Sequence, residues 1–142
     1  MPDAPRASTL LAFDYGLRRI GVAAGQTITG SASPVGVVPN GDGGPDYERI
    51  AALVREWQPD LMVVGLPLNA DGSESAMSAA ALSFAQDLER FSLPVETVDE
   101  SLTSVEAGAA LRNARQAGAR GRIRKEDIDA AAAVLIAERY LR

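Results

Sequence analysis

Three carboxylates in this chain, Asp14, Glu100 and Asp129, have positions from which they could act together. Asp14 ends an apolar run, Glu100 comes just after the predicted strand at 95–98, and Asp129 precedes four consecutive alanines. Carboxylates gathered in one crevice repel each other, and a bound divalent cation relieves that repulsion. Carboxylate oxygens suit Mg²⁺ or Mn²⁺, which would activate a water for phosphodiester hydrolysis. We therefore predict that Asp14, Glu100 and Asp129 are catalytic residues and metal ligands.

The composition favours carboxylate chemistry by elimination. The 142 residues include no cysteine and no histidine, whereas Asp and Glu together number 19. Disulfides, thiolate zinc sites and cysteine nucleophiles are therefore excluded. Each carboxylate also has a simpler explanation, because Asp14 and Glu100 could be turn residues and Asp129 a charge favoured in the first turn of a helix.

The basic residues are concentrated in one segment. The net charge of −5, taken alone, argues against a nucleic-acid partner. Six of the 14 basic residues nevertheless lie in 112–125, where there is no acidic residue. Such a run is often only a solvated helix end and loop, but its position before Asp129 favours contact with a phosphate backbone. The residues predicted to bind nucleic acid are Arg18, Arg19, Asn69, Arg120, Arg122, Arg124 and Lys125.

Length and hydropathy predict one domain over residues 1–142, with residues 1–8 flexible. No run of about 18 apolar residues could span a bilayer, and the chain does not begin with a signal-peptide pattern. We expect a cytoplasmic protein.

Strand and helix patterns alternate along the chain. Apolar runs predict strands at 10–13 and 61–64, and further strands are predicted at 20–23, 31–38 and 95–98. Pro34 favours an edge position for the third strand. Helical spacing and capping residues predict helices that begin after Asp46, cover about 77–91 and 103–117, and include 127–136 with Ile128, Leu135 and Ile136 inward. Residues 40–45 and 65–73 are predicted loops.

This order of elements indicates an α/β fold, a mixed five-stranded sheet flanked by helices on both faces. The later strands are expected to run parallel to the first. In such sheets ligands bind beyond the carboxyl ends of the parallel strands. Asp14, residues 65–69 and residues 99–100 would all lie there.

Four ordered motifs resemble the YqgF/RuvX family over residues 10–141. They are DYGLRRIGVA at 14–23, VVGLPLN at 63–69, DESLTS at 99–104 and IDAAAA at 128–133. The resemblance implies an RNase H-like fold related to the RuvC resolvases, in a cytoplasmic bacterial protein. Members of the family are described as Holliday junction resolvases and as nucleases that mature the 5′ end of pre-16S ribosomal RNA.

The resemblance extends to the site residues with one departure. Asp14, Glu100 and Asp129 match the acidic positions of the family's motifs. The family usually has arginine where this chain has Ser101. If that arginine contacts phosphate, another cation, such as one in 112–125, must take its place here.

Several alternatives stay open on the sequence. The protein could resolve Holliday junctions in DNA instead of processing pre-16S rRNA, or bind nucleic acid without cleaving it. Sugar-kinase and actin-like ATPases also begin with Asp-x-Gly at a strand turn, but they need two lobes, and 142 residues supply one. No motif distinguishes RNA from DNA, or a monomer from a homodimer.

Overall fold

The computed structural model describes residues 8–67, 73, 75–99 and 125–141, the last range with side chains from residue 130 onward. Within these residues five strands form one sheet in the order β3-β2-β1-β4-β5. The strands are β1 (Thr9–Asp14), β2 (Arg19–Gln26), β3 (Ser31–Pro39), β4 (Leu61–Leu66) and β5 (Val95–Asp99). The helices are α1 (Tyr47–Trp57), α2 (Ala76–Asp87) with a 3₁₀ turn (Leu88–Phe91) directly after it, and α3 (Lys125–Leu141).

The central strand β1 has an antiparallel neighbour on one side and a parallel neighbour on the other. Asp14 pairs with Gly21 of antiparallel β2, and Phe13 pairs with Val64 of parallel β4. β5 then runs parallel to β4. The ends of β1, β4 and β5 therefore meet along one side of the sheet, which we call the carboxyl edge. The predicted mixed sheet, with later strands parallel to the first, is confirmed.

Alternation along β1 divides the core between the two faces of the sheet. Leu11 and Phe13 pack in a cluster that includes Ile50 of α1 and Phe84 of α2. Leu10 and Ala12 pack instead with Ile136 and Ala137 of α3. Successive strand side chains point to opposite faces, so α1 and α2 cover one face and α3 covers the other. Helices lie on both faces, as predicted.

The edge strand and the first helix also match their sequence signals. β3 lies at the edge of the sheet, where Pro34 can lack a backbone donor. The register between β2 and β3 shifts by one residue at Val22/Ala23, opposite Pro34 and Gly36. Asp46 caps α1, because its side chain accepts a hydrogen bond from the backbone N–H of Arg49 at 3.1 Å.

Two predicted details are wrong. Residues 65–66, predicted as the start of a loop, belong to β4, because they extend its parallel pairing with β5. Leu135, predicted to face inward, is only half-buried. Ala130 and Ala133 form the inward stripe with Ile136, and their small size lets α3 lie close to the sheet. The predicted helix at 103–117 and residues 1–7 lie outside the described residues.

The turn between β1 and β2, residues 15–18, is fixed by Asn40. The Asn40 side-chain Nδ2 donates to the carbonyl oxygen of Gly16 at 2.7 Å, and the Asn40 backbone N–H donates to the carbonyl oxygen of Arg18 at 2.9 Å. A Cβ at Gly16 would lie 2.5 Å from the carbonyl oxygen of Arg19, a distance that real Cβ contacts do not reach. We call residues 15–18 the site turn, because it follows Asp14 directly.

Contacts at its C-terminal end show the direction of α3. A Cβ at Gly25 would lie 3.2 Å from Leu10 and 3.2 Å from Leu141, so the three residues are close neighbours. The Tyr140 hydroxyl donates to Glu96 Oε2 at 2.9 Å. Leu10 and Glu96 are near the amino ends of their strands, so α3 runs antiparallel to β1. Its N-terminal half therefore points toward the carboxyl edge.

Substitution of Phe84 should destabilise the core on the α1/α2 face. The buried ring makes an edge-on contact with Phe13 at a centroid distance of 5.7 Å and lies 5.2 Å from Tyr15. Phe84→Ala should lower the free energy of unfolding in urea by about 3–5 kcal/mol, the usual cost of emptying such a site. Leu82→Ala on the same helix, where the side chain is 38% exposed, should change it by less than about 1 kcal/mol. Equal losses in the two variants would contradict the packing described here.

Substitution of Gly16 should distort the site turn. Because the added methyl group meets backbone and cannot be relieved by a rotamer change, Gly16→Ala should cost about 1–3 kcal/mol of unfolding free energy. Gly41→Ala is the matched control, since nothing lies within 4 Å of the position that its methyl group would take. Urea unfolding of both variants measures the difference, and a Gly16→Ala protein as stable as the Gly41→Ala protein would refute the steric argument.

Candidate functional site

Asp14 lies at the tip of the central strand with a glycine on each side. It pairs with Gly21 of β2, and the pairing of Phe13 with Val64 places Gly65 of β4 beside it. By alternation from Leu10, Asp14 belongs to the face of the sheet that α3 covers. Neither neighbouring glycine contributes a side chain beside the carboxylate. Glycines at such positions let a cation or a phosphate come close to the backbone.

Asp99 shares the carboxyl edge with Asp14 but belongs to the other face of the sheet. It is the last residue of β5 and pairs with Leu66 of β4. Val98, the residue before it, packs in the cluster on the α3 face. Alternation therefore directs Asp99 away from that face. Glu100, the predicted catalytic residue, follows Asp99 in the sequence and lies outside the described residues.

The backbone of α3 is long enough to reach the carboxyl edge. From Leu141 back to Asp129 the helix rises roughly 18 Å, whereas β1 spans only roughly 13 Å from Leu10 to Asp14. With Leu141 beside Leu10, this length would allow position 129 to reach the end of β1. Position 129 also precedes the buried Ala133 by four residues, the spacing of one helix face. The Asp129 side chain lies outside the described part of the chain.

The structure tests the predicted ligand set only in part. Among the described side chains there is no group of three or more Asp, Glu, His or Cys residues that could hold a metal ion. Of the three predicted ligands, the described side chains include Asp14, and not those of Glu100 and Asp129. The ligand set therefore stays a prediction that rests on the placement of Asp14 and of the α3 backbone.

Arg18 and Arg19 are the predicted nucleic-acid contacts that the structure places at the site. Both side chains are exposed, Arg18 in the site turn and Arg19 at the start of β2. Two cations therefore lie within five residues of Asp14 in a chain of acidic composition. The other predicted contacts, Asn69, Arg120, Arg122, Arg124 and the side chain of Lys125, lie outside the described residues.

Asn40 is a site residue that the sequence patterns do not reveal. It follows β3 directly and bonds two carbonyl oxygens of the site turn, those of Gly16 and Arg18, although it lies 24 residues from Gly16 in the sequence. An asparagine that opens a glycine-rich loop is typical of a turn residue. That local signal gives no indication of a partner so far away along the chain.

Two tyrosines with shifted pKa values connect elements at a distance from the site. Burial and the neighbouring Asp87 carboxylate raise the pKa of Tyr47 to about 12, and the Tyr47 hydroxyl donates to Asp87 at 3.2 Å. Burial, followed by the hydrogen bond to Glu96, raises the pKa of Tyr140. Both phenols are therefore protonated at neutral pH, and the Tyr140–Glu96 hydrogen bond secures the C-terminal end of α3.

The described helices include no segment with the length and apolar character required to cross a bilayer.

Comparison with known structures confirms the predicted fold class. The structure of Thermus thermophilus RuvC in complex with a Holliday junction substrate matches with a TM-score of 0.55 and 15% sequence identity, over 92% of this chain and 90% of that one. At this identity the match shows the fold alone. The fold is RNase H-like, as RuvC's is.

Sequence comparison gives much closer relatives. A protein of Chromohalobacter salexigens is 52% identical over 132 residues, which cover 92% of this chain and 87% of the relative. A protein of Escherichia coli O157:H7 is 47% identical over 135 residues, which cover 94% and 96%. Both are named as candidate pre-16S rRNA nucleases. The model of the RuvX family, described as Holliday junction resolvase, matches residues 8–142. With this match over nearly its full length, the chain belongs to the RuvX family.

Proposed function

We propose that this chain is a metal-dependent nuclease that hydrolyses phosphodiester bonds in the precursor of 16S rRNA. The observation on which the proposal rests is the placement of Asp14. This carboxylate ends the central strand between two glycines, on the face covered by α3 and at the edge toward which the N-terminal half of α3 points. Ligands of open α/β sheets bind at this position.

The proposed catalytic and metal-binding residues are Asp14, Glu100 and Asp129. Asp99, the acidic residue directly before Glu100, belongs to the face of the sheet opposite Asp14. This placement favours Glu100 over Asp99 as the second carboxylate. Position 129 belongs to α3, whose N-terminal half points toward the same edge. The three proposed residues would thus come from the end of β1, from the residue after β5 and from α3.

The donor chemistry and the glycines beside Asp14 both fit Mg²⁺ or Mn²⁺. Carboxylates are hard oxygen ligands of the kind that these cations prefer. The glycines at 21 and 65 contribute no side chains of their own, so an ion and a phosphate could come close to the backbone there. A bound cation would supply a reactive water at neutral pH and charge stabilisation for the departing oxygen.

The described residues around Asp14 would bind and orient the substrate. Arg18 and Arg19 place positive charge where a phosphate backbone would approach Asp14. Asn40 fixes the site turn, so these cations are presented on a rigid backbone. The basic run at 112–125 would extend the same contact along the nucleic-acid strand. One of its cations would replace the arginine that the family usually has at the position of Ser101.

The substrate proposal follows the names of the close relatives. Proteins 47–52% identical to this chain are named for pre-16S rRNA, and processing of that precursor would place the activity in the bacterial cytoplasm. The second candidate is a Holliday junction, which is named in the description of the family and is the substrate bound in the matching RuvC structure. A junction resolvase needs two symmetric active sites and hence a homodimer, whereas rRNA processing can be done by a monomer.

Substitution of Asp14 should abolish cleavage and leave the fold intact. The test uses a labelled precursor RNA that spans the 5′ end of 16S rRNA and a four-way DNA junction, each with Mn²⁺ or EDTA. Asp14→Asn should lower the rate by more than about a hundredfold, because loss of a partner that only orients a ligand already costs 10–100-fold. Asp42→Asn is the matched control, since this exposed carboxylate lies in the loop after β3 at the same edge. Urea unfolding checks the stability of both variants.

The outcomes separate the candidate functions. Mn²⁺-dependent cleavage of the RNA that Asp14→Asn abolishes supports the proposal, and cleavage of the junction alone supports the second candidate. Tight binding that EDTA does not affect, without cleavage of either substrate, indicates a binding module. Full cleavage by Asp14→Asn rules out the proposed site.

A further inference from the structure

We propose that Leu17 is an apolar wedge that packs against a nucleobase next to the phosphate held at Asp14. The inference rests on the proposed nuclease function and adds to it a residue that orients the substrate. Leu17 lies at the site turn, three residues after Asp14, and its side chain is 67% exposed. Burying this side chain against an apolar partner would gain about 1.5–3 kcal/mol, and its position beside a candidate active site makes a bound substrate that partner.

The backbone on both sides of Leu17 is fixed. The carbonyl oxygens of Gly16 and Arg18, the residues before and after it, both accept hydrogen bonds from Asn40, at 2.7 Å and 2.9 Å. The leucine is therefore presented to solvent on a backbone with little freedom. A group that is rigid before binding loses less conformational entropy when it contacts a ligand. A mobile surface leucine would have no such advantage.

The charges around Leu17 indicate the kind of partner. Arg18 and Arg19 follow it directly, and both side chains are exposed. A leucine beside two cations matches a polymer with apolar faces and regularly spaced negative charges, which is the character of a nucleic acid. Proteins that insert leucine between bases combine the wedge with basic contacts to the backbone in the same way. Cations bind the phosphates, and the apolar side chain displaces water from the face of a base.

The position of Leu17 also explains what the wedge would do. A base held by Leu17 would fix the register of the strand relative to Asp14, since only Tyr15 and Gly16 separate the two residues. The contact concerns the face of a base, so it favours unpaired or easily unstacked nucleotides and does not depend strongly on their identity. Leu17 is thus a positioning residue, and its loss should weaken substrate binding more than the chemical step.

The chain provides a matched control in Ile28. Its side chain is also 67% exposed, but it lies in the turn between β2 and β3, at the opposite end of β2 from the site turn. Ile28→Ala removes a similar exposed apolar surface far from Asp14. Leu17→Met is the rescue variant, because methionine keeps the length and apolar character of leucine.

The experiment measures binding and base stacking in the full-length protein. Precursor RNA with 2-aminopurine beside the cleavage site reports unstacking as a rise in fluorescence, with Asp14→Asn in the background to prevent cleavage. Leu17→Ala should raise the Kd for the RNA by about tenfold, because one apolar contact of this size is lost. The same variant should remove the fluorescence rise. Leu17→Met should bind within about twofold of the parent protein. Ile28→Ala should match the parent in both measurements.

Steady-state kinetics and sedimentation separate the other outcomes. In the otherwise unmodified protein Leu17→Ala should raise KM and leave kcat nearly unchanged. Binding and fluorescence equal to those of Ile28→Ala would overturn the inference. A second result would also overturn it: sedimentation shows that the unmodified protein is a homodimer, and Leu17→Ala converts it to a monomer while the fluorescence response persists. Leu17 would then belong to a protein interface. Absence of cleavage by the unmodified protein would contradict the nuclease proposal, and this result is distinct from those that test Leu17.

Discussion

The parallel pairing of β1 with β4 is the constraint on which the rest of this structure depends. It makes β1 the central strand and brings the ends of β1, β4 and β5 to one edge. Its register also places Gly65 beside Asp14, while the antiparallel pairing places Gly21 on the other side. A shift of one residue in either register would replace a glycine beside Asp14 with a residue that carries a side chain, or turn Asp14 to the opposite face.

Two sets of contacts between distant parts of the chain orient the elements around this strand. Asn40 ties the site turn to the end of β3, which fixes the direction in which Leu17 and Arg18 leave the sheet. At the other end of the molecule, Leu141 lies beside Gly25 and Tyr140 bonds to Glu96. These contacts hold the C-terminal end of α3 at the amino end of β1. A helix secured there has the length to carry position 129 toward the carboxyl edge.

Local sequence patterns are sufficient to predict most of the architecture. The apolar run before Asp14, the capping residue Asp46 and Pro34 in an edge strand each express a preference that acts within a few residues, and the structure confirms all three. The order of strands and helices then leaves few topologies, because crossover connections follow strict rules. The fold class and the edge at which Asp14 lies can therefore be predicted.

Features that depend on contacts across the sheet cannot be predicted in the same way. Glycine is a common turn residue, so the sequence predicts a loop at Gly65, although pairing with Val98 keeps it in β4. Leu135 is apolar, but the helix turns Ala133 inward, because a small residue allows a closer approach to the sheet. The partner of Asn40 lies 24 residues away, a distance at which no periodic pattern operates. The pairing of Gly21 directly with Asp14 likewise follows from the register of β1 and β2.

The central claim is that carboxylates from the end of β1, from the residue after β5 and from α3 share one divalent cation. Crystals of the protein soaked in Mn²⁺, with anomalous scattering recorded near the manganese edge, test it most directly. The account predicts an anomalous peak at the carboxyl edge, within about 2.5 Å of carboxylate oxygens of Asp14, Glu100 and Asp129. A peak bound elsewhere on the chain, or an ion at this edge without Asp14 among its ligands, would contradict it.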